Sequence, residues 1–120
     1  MQKLLIFNPD FRPFEPTVVE RAFRSCPEFT ALRFEEPGGA LLECNYIEPQ
    51  DWTIIRLNRD ATTISLNQTW GAALRAVLLL QKALGVPLRM VNDDFSFDLI
   101  FSDIATVEAL ESAMENARTS

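Results

Sequence analysis

The chain predicts an α+β fold with a mostly antiparallel sheet, in the order β-α-β-β-β-β-α-β-β-α, and three observations carry that prediction. Apolar residues recur at alternate positions between Glu28 and Leu66, interrupted by short polar turns. The stretch Gln68 to Leu84 is apolar around most of a helical circumference. The strand connections are too short for parallel crossovers. A chain of 120 residues makes one domain, residues 1–120, able to bury a core without staples.

In chain order, Lys3 to Phe7 is a short apolar strand ended by Asn8-Pro9. A turn rich in proline and phenylalanine leads to a first helix starting at Pro16 or Thr17. Thr17 and Glu20 have capping-box spacing, and Val18, Val19, Ala22, Phe23 and Cys26 form its apolar face. Pro27 stops it. Residues Phe29 to Phe34 alternate, Pro37-Gly38-Gly39 turns the chain, and Ala40 to Ile47 returns as a hairpin. Glu48 to Asp51 and Asn58 to Asp60 are the next turns, leading to strands Trp52 to Leu57 and Thr62 to Leu66.

The central helix counts Trp70, Leu74, Val77, Leu80 and Gln81 among its covered positions, with Asn67 or Thr69 as N-cap and Gly85 followed by Pro87 as its end. It is too short and too often interrupted to span a bilayer, which takes about 20 apolar residues. Leu88 to Val91 and Phe95 to Phe101 flank the turn Asn92-Asp93-Asp94. In the second of these strands Phe95, Phe97, Leu99 and Phe101 share one face, and Asp98 lies on the other, with Arg89 as a partner if that face is covered. A last helix, Thr106 to Arg118, buries Val107, Leu110, Met114 and Ala117, and Asp103 just before it favours the helix start.

The chemistry is bounded mainly by exclusion. Histidine is absent, which removes the commonest general base, the serine or cysteine triads that use it, and the commonest transition-metal ligand. Four glycines leave no phosphate loop or dinucleotide fingerprint. Cys26 and Cys44 are two scattered thiols, neither a disulfide framework nor a zinc site. Asp93, Asp94, Asp98 and Asp103 lack calcium-loop spacing; Asp93 and Asp94 suit a turn, where Asp bonds the local backbone. A net charge of −6 disfavours nucleic acid and anionic membranes as partners and suits a basic protein. The start, MQKLLIFNPDF, lacks the pattern of a secretory leader, so the chain is expected to be cytoplasmic.

Two stretches, ISLNQTWGAALRAVLLLQKAL (Ile64 to Leu84) and DDFSFDLIFSDIATVEALESAM (Asp93 to Met114), together resemble small acidic bacterial α+β proteins of the immunity group, which neutralise toxins of competing or sister cells. The resemblance covers the C-terminal half. It implies a non-enzymatic protein that binds one toxin tightly and covers its active site with an acidic surface; that group shares no binding motif from which individual residues could be transferred.

The expected function is therefore protein binding, with no catalytic residue, cofactor or metal. The expected contact surface is acidic turns around an aromatic anchor: Glu35, Glu36, Glu48, Asp51, Trp52, Asp93 and Asp94. The partner would be a protein, such as a basic toxin domain, and the chain a monomer or homodimer. Two alternatives stay open: a small-molecule or carboxylate-dependent enzyme domain with Asp98 or Glu43 pointing into an apolar pocket, and a homodimeric scaffold using Leu79 or a strand edge.

Overall fold

Alternation in the strands and an all-round apolar helix leave one economical packing, a sheet with helices on one face. The computed structural model describes residues 2–35 and 39–119. Its elements are β1 (Leu4–Phe7), α1 (Pro16–Ser25), β2 (Phe29–Phe34), β3 (Ala40–Glu48), β4 (Asp51–Asn58), β5 (Ile64–Leu66), α2 (Ala72–Leu84), β6 (Leu88–Asn92), β7 (Asp98–Phe101) and α3 (Val107–Asn116). The strands form one sheet in the order β2-β3-β4-β5-β1-β6-β7, every neighbouring pair antiparallel. The α+β class and the element order are as the sequence predicts.

The meander β2 to β5 ends against β1, which lies at the centre of the sheet between β5 and β6. α1 carries the chain from β1 to the edge strand β2, and α2 connects β5 to β6, the two strands that flank β1. α2 packs between α1 and α3 and over β3 and β4. The core follows the period of two: Leu4 and Ile6, Leu42, Cys44 and Tyr46, Ile55 and Leu57, and Ile64 and Leu66 are buried beneath Val19 and Phe23 of α1 and Leu74, Val77 and Leu80 of α2. No helix among the described residues is long and apolar enough to cross a membrane.

The other sheet face carries no helix, and its charged residues pair laterally instead. Glu43 takes a hydrogen bond from Arg33 at 2.9 Å and lies 3.5 Å from Arg56, which also donates to Asn67 at 3.0 Å. Arg89 binds Asp98 through both carboxylate oxygens, at 2.8 and 2.5 Å, and its guanidinium stacks on Phe11. This places Asp98 on an exposed edge strand with Arg89 across the hairpin.

Several local expectations are corrected. The capping box does not form: the helix begins at Pro16, whose fixed φ suits the first helical position, so Thr17 is already inside. Glu20 pairs instead with Arg24 one turn on, and Val18 is exposed. α2 starts at Ala72 with Gly71 as its N-cap position, so neither Asn67 nor Thr69 caps it and Trp70 lies outside the helix. Phe95 precedes β7 and points to solvent. Asp103 does not cap α3; the Thr106 hydroxyl accepts from the Ala109 amide at 3.1 Å. The turn Pro37-Gly38, with Glu36, lies outside the described residues.

Candidate protein-binding surface

The β3–β4 hairpin extends two residue pairs beyond β2, whose pairing ends with Phe29 opposite Tyr46, and its last open-face pair is Ile47 opposite Trp52. The residue after Ile47 and the one before Trp52 turn the other way, toward the helices, because side chains alternate along a strand. Glu48 and Asp51 therefore meet α2. Asp51 accepts hydrogen bonds from the Ala72 amide at 2.9 Å, from the Trp52 amide at 2.8 Å and from the Gln68 side chain at 3.3 Å. It thus caps a helix that has no capping side chain of its own.

Glu48 is gripped by Arg75 of α2 through both oxygens, the second contact at 2.6 Å, and receives the Tyr46 hydroxyl at 2.6 Å. These bonds hold both carboxyls below the usual carboxylate range. For Glu48 the Arg75 guanidinium is the main cause. For Asp51 it is the Ala72 amide, helped by Trp52 and Gln68. Burial, with the bond to Glu48 second, pushes the Tyr46 hydroxyl up to about 12. Ionised acids locked to a guanidinium and a helix terminus fix geometry; they are poorly placed to trade protons at neutral pH.

What they fix is an apolar tip. Trp52 is 55% exposed, Ile47 60% and Trp70 62%. Trp52 and Trp70 each adjoin a member of the Asp51–Gly71 contact, where a Cβ on Gly71 would come within 2.5 Å of the Asp51 carboxylate. Gly71 also has φ +59, so glycine at this position lets the loop pass close beneath the hairpin.

The strand directions set where the other expected residues lie. The β6–β7 turn, with exposed Asp93 and Asp94, is at the same end of the sheet as the tip. Three strand spacings, about 14 Å, separate β4 from β6. Asp94 receives the Gln2 side chain at 3.4 Å and the Ser96 amide at 3.3 Å. Exposed Phe95 is beside them. Glu35 follows β2 at the opposite end, so the structure does not bring it to the others, and Glu36 is outside the described residues. Ile47, Trp70 and Phe95 are the members that sequence reasoning missed, because each fits the apolar period of the element it ends or precedes.

The chain matches no family model, no curated protein and no solved structure. Its reading rests on its own residues.

Glu43 and Asp98, the carboxylates of the enzyme alternative, lie on the open face in ion pairs with arginines. Neither lines the groove that runs along α2 on the helical side. No group of three or more cysteine, aspartate or glutamate residues able to hold a metal occurs among the described residues.

Proposed function

We propose that this chain is a non-enzymatic, cytoplasmic protein-binding domain of the immunity type, which engages a cognate toxin through the β3–β4 tip. The observation that carries the reading is the pair Ile47 and Trp52, opposite each other and more than half exposed at the hairpin end of the open sheet face, with Trp70 also exposed beside the Asp51–Gly71 contact. Large exposed aromatics on a rigid support are the usual anchors of a protein interface. The tip is rigid before any partner arrives, because Glu48 and Asp51 tie it to Arg75 and Ala72 of α2 and to Gln68 just before it. Pre-organisation lowers the ordering cost of binding. The net charge of −6 and the nearby Asp93 and Asp94 favour fast association with a basic partner.

The test is co-expression with the product of the adjacent reading frame, read as complex formation and as rescue of growth. Trp52→Ala is expected to weaken the complex by about 2 kcal/mol or more, roughly thirtyfold. Stability should change by less than about 0.5 kcal/mol, because the side chain is mostly in water. No complex with that product and no rescue removes the reading, and a complex indifferent to Trp52 and Trp70 moves the contact elsewhere.

A further inference from the structure

α2 is apolar around most of its circumference, and such a helix belongs inside protein on all sides. The sheet lies beneath it and α1 and α3 beside it, yet Leu78 and Leu79 on its outer side remain only half-buried. They floor a groove of about 790 Å³, within the range of ligand-binding clefts. One wall is the loop of residues 102–105, and that wall is pinned. The Gln81 side chain donates to the Ile104 carbonyl at 2.5 Å and accepts from the Ile104 amide at 3.0 Å.

The charges along the groove are uneven. Arg75 is committed to Glu48 at one end. Exposed Glu28 and Asp103 then stand against Lys82, which makes no ion pair among the described residues. The far end, at Gly85, is the carbonyl terminus of α2, which carries partial negative charge. From Arg75 to Gly85 the helix rises about 15 Å, close to three helical turns.

We propose that this groove docks a basic amphipathic segment of a partner protein, with apolar side chains on Leu78 and Leu79 and lysines or arginines toward Glu28, Asp103 and the end of α2. The apolar floor, the two exposed acids set against Lys82 once Arg75 is committed to Glu48, and the length match the helix-in-groove mode. The proposal does not depend on the hairpin tip, and either surface can fail while the other stands.

The experiment titrates the intact chain with a short amphipathic helix of leucine and lysine, its glutamate-for-lysine counterpart, and decanoate, following backbone amide shifts by NMR. The basic peptide is expected to move the amides of Leu78, Leu79, Gly85 and Ile104 and to leave those of Ile47 and Trp52 in place. Leu79→Glu should weaken it by about tenfold or more, and the double variant Glu28→Gln/Asp103→Asn, which leaves the floor intact, by several-fold. Shifts scattered over the whole acidic surface would overturn the proposal. So would unchanged affinity in a folded Leu79→Glu protein, or equal occupancy of the groove by the acidic peptide or by decanoate.

Discussion

Asp51 joins three segments through one carboxylate: its own strand at Trp52, the incoming loop at Gln68 and the helix start at Ala72. Removing it leaves the first amides of α2 without a cap and frees the loop that carries Trp70. Asp51→Ala is expected to cost about 1–2 kcal/mol, seen as a lower urea midpoint. Asp51→Asn should retain most of that, since an amide oxygen caps nearly as well. Equal losses in the two variants would show that the charge, and not the cap, is what matters. Glu48 and Asp51 are legible in the sequence as acidic turn residues, but their engagement is not. Arg75 lies 27 positions from Glu48, and Ala72 lies 21 from Asp51. Nothing local distinguishes an acid that will be captured by a distant helix from one that will meet solvent. Trp52 shows the reverse: strand alternation places it opposite the buried Thr53 and Ile55, and its exposure follows once the helices are known to take one face.

At the scale of elements, every predicted strand and helix exists, and the misplacements fall at boundaries where side-chain chemistry interrupts an apolar period. The Asn92 side-chain oxygen accepts from the Ser96 amide at 2.8 Å, and its side-chain amide donates to the Ser96 hydroxyl at 2.7 Å. That closure makes a tight loop with Phe95 at φ +56, so Phe95 leaves the strand although its spacing fits. Trp70 is lost from α2 for a related reason, because Gly71 breaks the backbone into the left-handed region before helical bonding starts. Gln81 couples elements in the other direction. One buried amide side chain satisfies both backbone groups of Ile104 and sets the groove wall. Gln81→Ala strands those groups, and a loss of about 1–3 kcal/mol is expected. Faster amide exchange at Ile104 than at Leu80 would check that the damage is confined to the loop.

Taken as a whole, the molecule has a stability window whose two sides have different owners. Glu48, Asp51 and Asp98 all have folded-state values below their ordinary 4.5, 3.8 and 3.8, each chiefly because a hydrogen bond favours the ionised form. Their contribution is complete above those ordinary values and is lost as pH falls below them. Burial pushes the Cys44 thiol from 9.0 to about 12, and it is the main cause of the Tyr46 rise from 10.0 to about 12. Their contribution is complete below the ordinary values and is lost as pH rises above them, so the alkaline side should begin near Cys44's ordinary value of 9.0. Urea midpoints measured across pH should trace this dome. Glu48→Gln with Asp51→Asn should flatten its acid limb, and Cys44→Ala should move its alkaline limb upward; limbs unmoved by these changes would assign them to other groups.

Of the strands in this sheet β1 is made before the others, and both of its neighbours follow much later in the chain: Leu4 pairs with Leu66 and with Asn92. At ribosomal rates of about 5–20 residues per second, the Leu4–Phe7 segment waits roughly 3–12 s for β5 and longer for β6. During that interval β2 to β4 can already zip together, while an apolar tetrapeptide trails without a mate. A nascent chain stalled before β5 should therefore show this segment open to proteases and chaperones, and the seam around it should be the last part of the sheet to close.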